Sequence, residues 1–243
     1  MDKAESASPG YYEQACDAIE RSDFETAKRI CVDAADRFER AGAHVDASVA
    51  YHLLGGAAYQ AGDLADARSW YLKSLSLIEP PDEANQLDYS RTCNNLAAVV
   101  NALGDHDSAK EWLQKALRIK ERLVDKLGMA TSYNQLGVVA DTESRFEEAQ
   151  QFYLRALSIH EELKNIDGVV GTLINLANVA EKRFGVEAVD EWYGKITHAL
   201  DQAGEPSTAA RLGQEAQRVG HFIAAAILYK KAYDLERQRK EIT

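Results

Sequence analysis

Residues 128–163 read GMATSYNQLGVVADTESRFEEAQQFYLRALSIHEEL and contain two helical patterns joined by a short polar turn. In the first pattern, Leu136, Gly137 and Ala140 follow Tyr133 by three, four and seven residues, which places all four on one face of a helix. Between residues 146 and 157, apolar and small residues recur in the same way. The stretch therefore predicts two antiparallel helices that pack together through these faces.

The turn and the crossing point of the two helices carry further predictions. Ser144 and Glu147 have the spacing of a capping box, in which each side chain accepts a hydrogen bond from a backbone N–H at the start of the second helix. Residues 22–25 repeat this spacing. Gly137 and Ala156 are small, so we expect the helix backbones to approach to the lower end of the usual ~8–10 Å separation.

The same two-helix pattern recurs along the chain with a period of about 40 residues, which is typical of helical solenoids. We therefore predict a single array over residues 9–240, preceded by a flexible N-terminus at residues 1–8. The array is predicted to contain six repeats, at residues 8–41, 48–81, 90–123, 130–163, 170–203 and 206–239.

This pattern resembles the tetratricopeptide repeat, whose motif residues stand here in phase. A small residue lies in the middle of the first helices, and a glycine precedes the turn at Gly62, Gly104 and Gly220. The period near 40 residues and the run CNNLA at 93–97 are similar to the repeats of kinesin light chains and G-protein-signalling modulators. The resemblance implies an all-α fold, namely an α-solenoid that forms a right-handed superhelix of about six helix-turn-helix repeats.

Two places depart from the regular pattern. Pro81 ends the second repeat, and residues 82–86 are predicted to form a surface loop. In the fifth repeat the sequence KRFG at 182–185 replaces the usual turn, and Gly194 lies inside the second helix, where glycine costs roughly 1 kcal/mol relative to alanine. We expect either a local bend or loosened packing in this repeat.

The composition limits the classes of partner. The 243 residues include 28 basic and 39 acidic side chains, for a net charge of −11. Binding to a polyphosphate backbone requires clustered Lys and Arg, so we expect no nucleic-acid partner. The acidic surface either favours a partner with basic groups or only keeps the array in solution.

Hydrophobicity and cysteine usage indicate the compartment. No apolar run approaches the ~18 residues of a membrane span, and the first ten residues lack the apolar core of a signal peptide. The three cysteines have no C-x-x-C spacing, and Cys31 and Cys93 fall on apolar repeat positions, so we expect small core residues there. These features predict a cytoplasmic protein without membrane association.

No group of residues has the spacing of a catalytic, cofactor or metal site. The six histidines include no pair at the three- or four-residue spacing of metal ligands on a helix. Phosphate-binding glycine loops and nucleophile motifs are also missing from the sequence. We therefore expect neither enzyme activity nor a cofactor. Only the irregular fifth repeat, with Trp192 and His198, leaves room for an enzyme or small-ligand receptor.

The resemblance also implies where a partner binds. In this family the first helix of each repeat lines a concave surface, and its second, fifth, sixth and ninth positions point inward. Side-chain amides at these positions would form a ladder, because a primary amide offers both a donor and an acceptor to an extended peptide. Alternatively, some of the amides join neighbouring helices. The predicted peptide-groove residues are Arg91, Asn94, Asn95, Asn134, Gln135, Val138, Asn175, Asn178 and Arg211.

The leading hypothesis is a non-catalytic adaptor that binds a peptide segment or helix of a partner protein in this groove. Arg91 and Arg211 can add charge-assisted hydrogen bonds to acidic groups. Chaperone-binding members of the family grip a C-terminal carboxylate with lysines that this chain lacks at the matching positions, so that function is not expected. The alternative is a structural subunit that forms homo-oligomers through a terminal repeat, or the sensor arm of a larger regulatory complex.

Overall fold

A computed structural model describes residues 10–79, 81–204, 206–218 and 222–242. The predicted flexible N-terminus and the predicted turn at Gly220 lie outside these residues. All regular structure in the described residues is helical, which confirms the all-α prediction. The chain divides into two compact units, residues 1–128 and 129–243.

The helices follow one another as six antiparallel pairs, which confirms a solenoid of helix-turn-helix repeats. The described helices are α1 (Gly10–Glu20), α2 (Phe24–Arg40), α3 (His44–Gln60), α4 (Leu64–Leu77), α5 (Gln86–Ala102), α6 (His106–Arg122), α7 (Lys126–Thr142), α8 (Phe146–Glu162), α9 (Ile166–Phe184), α10 (Asp190–Ala203), α11 (Pro206–Arg218) and α12 (Phe222–Ile242).

The 40-residue period has a simple structural origin in the middle of the chain. From α5 to α8 every helix has 17 residues, and every connection has three. One repeat is therefore two identical helix-plus-turn segments. The predicted repeats begin four residues late, because α5, α7 and α9 start at residues 86, 126 and 166 rather than at 90, 130 and 170.

The three-residue turns share one backbone conformation. Their middle residue has a positive φ, which is the left-handed conformation that commonly ends a helix. The third residue donates its N–H back into the preceding helix, as from Asp105 to the Val100 carbonyl at 2.9 Å. The middle residue is glycine at Gly42, Gly62 and Gly104 and a residue with a side chain at Ser22, Val124, Ser144 and Lys164.

The predicted capping boxes are wrong by one residue. Ser144 occupies the left-handed middle position of its turn, with φ 58°, and Arg145 is the residue that precedes α8. At the start of α2 the cap is Asp23, whose carboxylate accepts a hydrogen bond from the backbone N–H of Thr26. The turn therefore ends one helix and starts the next with different residues, which the serine spacing does not reveal.

The helices of a pair cross where a glycine meets a tyrosine ring. A Cβ atom at Gly137 would lie 2.5 Å from Cε1 of Tyr153, and one at Gly55 would lie 2.6 Å from the ring of Tyr71. Both tyrosines are 2% exposed, so the contact lies in the core of each pair. Only glycine allows this approach, which explains the small residue that the sequence pattern singled out.

The two expected irregularities are present. Residues 78–85 connect α4 to α5, and Asp82 caps the loop by accepting hydrogen bonds from the backbone N–H groups of Ala84 and Asn85. In the fifth pair, α9 extends to Phe184, Gly185 has φ 90°, and a single 3-10 turn at Val186–Val189 precedes α10.

Candidate functional site

First helices of three successive pairs enclose a pocket in the unit at residues 1–128. α1, α3 and α5 each contribute residues, and the pocket has a volume of about 220 Å³. Val49 and Leu53 supply apolar surface, whereas Asp88 and Arg91 supply charge. The lining residues are Tyr12, Ser48, Val49, His52, Leu53, Asp88, Arg91 and Thr92.

His52 forms a fixed wall of this pocket. Its Nδ1 lies 2.8 Å from the Thr92 hydroxyl, its Nε2 lies 3.3 Å from Nδ2 of Asn95, and its ring meets the Tyr71 ring edge-on. Burial lowers the pKa of His52, so the imidazole is neutral near pH 7. The ring therefore acts as a positioned polar surface and joins α3 to α5.

The two arginines of the predicted groove are both paired with carboxylates. Arg91 Nη1 lies 3.3 Å from Asp88 Oδ1 on the same helix, and Arg211 Nη2 lies 2.5 Å from Asp167 Oδ1. Both guanidinium groups are exposed, so their remaining N–H donors face solvent. Each pair presents one charge of each sign to a ligand.

Fifth-position side chains join neighbouring first helices. Nδ2 of Asn134 lies 3.0 Å from the Thr172 hydroxyl, and that hydroxyl lies 3.2 Å from Oδ1 of the same amide. The contact matches the one between His52 and Thr92, since both hydroxyls occupy the third position of the next repeat. Asn94 is 3% exposed, which contradicts the expectation that its amide faces the groove.

The remaining predicted residues lie at or near the surface. Val138 is 41% exposed, and the amides of the sixth and ninth positions are half-buried. Residues on the sixth position are rotated by about 100° from those on the fifth, which is why one set packs and the other reaches the surface. The half-buried amides are Asn95, Gln135, Asn175 and Asn178.

Sequence reasoning did not select Tyr12 or Asp88 for the site. Tyr12 belongs to the first repeat, and Asp88 precedes the predicted start of the third repeat. The signal that could have found Asp88 is the regular turn, because a cap at Asp105 and one at Asp125 each mark a helix start one residue later.

Other chemistry has little support in the described part of the chain. No group of His, Cys, Asp and Glu there could hold a metal ion. Burial raises the pKa of the Cys31 and Cys93 thiols to about 12, so neither forms a thiolate near pH 7. No helix among the described residues is long and apolar enough to cross a membrane.

These features define a class of protein: an all-α array of helix pairs whose first helices leave an open polar and apolar pocket. Sequence models of the tetratricopeptide repeat match residues 48–80 and 88–162. The chain is therefore a tetratricopeptide-repeat protein. No curated protein sequence matches it.

Solved structures with the same fold include regulators and repeat proteins. The apo form of RapI is 14% identical with a TM-score of 0.70, over 96% of this chain and 98% of that one. The Rap conjugation gene regulator of plasmid pLS20, in complex with the Phr* peptide, is 14% identical with a TM-score of 0.62, over 96% and 74%. A kinesin light chain from Podosopora anserina with nearly identical tetratricopeptide-like repeats is 14% identical with a TM-score of 0.54, over 78% and 94%.

Proposed function

We propose that this protein is an adaptor that binds a peptide segment of a partner protein on the surface of its first helices. The observation that carries the proposal is the pocket among α1, α3 and α5, where apolar side chains lie beside hydrogen-bonding groups and an ion pair. Peptide sites combine these elements, because apolar contacts supply affinity and polar groups supply orientation.

The pocket suggests the chemistry of the ligand. Val49 and Leu53 suit an aliphatic or aromatic side chain, and the Tyr12 hydroxyl can donate to a peptide carbonyl. Asp88 and Arg91 allow a neighbouring charge of either sign. The net charge of −11 favours a ligand that also carries basic groups.

We extend the site along the first helices of the later pairs. The proposal keeps Asn95, Gln135, Val138, Asn175 and Asn178 as ligand contacts, with Arg91 and Arg211. It assigns the fifth-position amides of Asn94 and Asn134 to packing between repeats, since one is buried and the other bonds Thr172. It also treats the six helix pairs as one continuous array.

The likeness to the pLS20 regulator supports a peptide ligand, because that protein is described in complex with a peptide. A second candidate function is self-association through the last pair. Ile223 and Tyr233 of α12 are 43% and 67% exposed, which is high for large apolar residues. A change of molecular mass with protein concentration in sedimentation experiments would favour this second function.

The test uses a phage-displayed library of random 12-residue peptides, selected on the purified chain. Peptides that bind the pocket lose affinity when Arg91→Glu reverses the exposed charge or Leu53→Glu places a charge beside the apolar wall. We expect roughly tenfold or larger increases in Kd for both variants.

The matched control is Leu154→Glu, which adds the same charge at an exposed leucine of a second helix, α8. Its Kd should equal that of the unmodified chain. Circular dichroism must show native helicity for each variant, and Arg91→Glu remains informative if Leu53→Glu unfolds. Failure of the selection, or equal affinities in all three variants, would contradict the proposal.

A further inference from the structure

Gly194 is an unexplained residue in the middle of α10. It has no packing reason to be glycine, since a Cβ atom there would meet no other atom within 4 Å. Glycine inside an exposed helix costs roughly 1 kcal/mol relative to alanine. The same position in the other second helices carries a larger side chain, namely Val32, Leu72, Gln114, Leu154 and Lys230.

The missing side chain opens a pocket between α10 and α12. This pocket has a volume of about 380 Å³, which is enough for a leucine or isoleucine side chain together with part of a neighbouring residue. Its walls include Tyr193, Thr197 and Ile227. The pocket belongs to second helices and is separate from the site proposed above.

Charged residues of α12 form the other wall. Lys231 is paired with Asp201, whereas Lys230 is exposed and makes no ion pair with the described residues. Asp234 lies one turn further along the same helix. Residues 229–240 include five basic and two acidic side chains, so this helix is basic in a chain whose net charge is −11.

We propose that this pocket docks an acidic amphipathic helix of a partner protein. An aliphatic side chain of the partner occupies the space beside Gly194, where it contacts Tyr193 and Ile227. A carboxylate one helical turn away, at a spacing of three or four residues, accepts a hydrogen bond from Lys230. The glycine is retained because any larger residue would fill the space that the partner needs.

The substitution Gly194→Leu tests the proposal without endangering the fold. It places in the pocket the side chain that Leu72 and Leu154 carry at this position, and it removes a helix-interior glycine, so thermal stability should rise. A control variant, Gly171→Leu, adds the same side chain at a glycine of α9 that also has open space around it.

The probe is a phage-displayed library of 16-residue helical peptides. It is selected on the unmodified chain after removal of peptides that bind Gly194→Leu. We expect the enriched peptides to carry an aliphatic residue with Asp or Glu three or four positions away. Their Kd should rise at least roughly tenfold on Gly194→Leu and severalfold on Lys230→Glu, because the anchor and the carboxylate lose their contacts.

Gly171→Leu and Lys195→Glu should leave the Kd unchanged, since Gly171 and Lys195 do not line the pocket. The proposal is overturned if no peptide class is enriched, if the enriched peptides are basic, or if they bind Gly194→Leu with unchanged affinity. It is also overturned if sedimentation velocity shows a dimer that only Gly194→Leu dissociates, because the occupant would then be a second copy of this chain.

Discussion

The fourth and fifth helix pairs use the same tyrosine in different ways. Tyr153 in the fourth pair faces Gly137, whereas Tyr193 in the fifth pair lies 16 residues after Ala177. The fourth pair has the regular three-residue turn, and the fifth has a longer first helix, Gly185 and a 3-10 turn.

The other pairs extend this comparison. The third pair has the regular turn and combines Ala97 with the smaller Leu113. Glycine opposite tyrosine and alanine opposite leucine therefore both accompany regular geometry. Alanine opposite tyrosine accompanies the altered connection. The difference teaches that the two crossing residues must share a limited volume, and that the turn depends on how close the helices come.

The largest expected effect is that of Gly137→Ala. The new methyl group would lie 2.5 Å from the Tyr153 ring, so the two helices of the fourth pair must separate or the ring must leave its pocket. Overpacking of this kind costs about 3 kcal/mol. Urea unfolding followed by circular dichroism measures the loss.

The double variant Gly137→Ala with Tyr153→Leu recreates the alanine–leucine combination of the third pair. It should be more stable than Gly137→Ala alone, although Tyr153→Leu by itself leaves a cavity beside the glycine. If the two substitutions are additive, the shared-volume explanation of the comparison fails. In the fifth pair, Ala177→Gly should cost no more than the roughly 1 kcal/mol of a helix glycine.

A second difference concerns the last turn of the second helices. The residue there is Lys120 in the third pair and Leu200 in the fifth, and both are buried. Burial lowers the pKa of Lys120 to about 8, although the Asp125 carboxylate opposes the shift. The unfolded chain, with an ordinary lysine pKa of 10.5, therefore binds more protons than the folded chain between these pH values.

The stability of the protein should consequently rise with pH from about 8 to 10.5, by roughly 2 to 3 kcal/mol from this residue. Lys120→Leu copies the fifth pair and should remove this contribution. The measurement is the difference in unfolding free energy between the two proteins at several pH values, so that other lysines and tyrosines cancel. Parallel pH profiles would show that Lys120 keeps its ordinary pKa in the folded protein.

The turn of the fifth pair gives a smaller effect. Gly185 has φ 90° and ψ 176°, a conformation that residues with a side chain rarely adopt. A Cβ atom there would meet no other atom within 4 Å, so Gly185→Ala tests the backbone alone. We expect a loss of about 2 kcal/mol in urea unfolding. A loss below about 0.5 kcal/mol would mean that the connection relaxes into another conformation.

The fold could be predicted because a 40-residue period repeats the same apolar and small residues in phase. The starts of the first helices could not, since the residues before Ser90 and Ala130 continue the helix without adding to its apolar face. The capping residues Asp105 and Asp125 carried that information instead. Recognising that both kinds of turn are alike would have corrected the repeat boundaries.

The candidate site was harder to predict because neighbouring amides have opposite roles. Asn94 is buried, whereas Asn95 next to it is half-buried and contacts His52. A rotation of about 100° separates the two side chains, and the sequence pattern does not define the helix orientation that finely. The pocket also depends on Tyr12 and Asp88, which lie outside the repeat positions that the family comparison provides.

The smallest expected effect comes from Ser144, which occupies the left-handed position of the regular turn with φ 58°. Its side chain is exposed, so Ser144→Gly removes strain of about 1 kcal/mol and loses few contacts. The greater freedom of glycine in the unfolded chain offsets part of the gain, which leaves roughly 0.5 kcal/mol of added stability. Because Gly185→Ala in the fifth pair should change stability in the opposite direction, the two variants measured together in urea separate backbone strain from side-chain packing. A loss of stability in Ser144→Gly would mean that the regular turn depends on a serine contact, and that it differs from the turn at Gly104 by more than its middle residue.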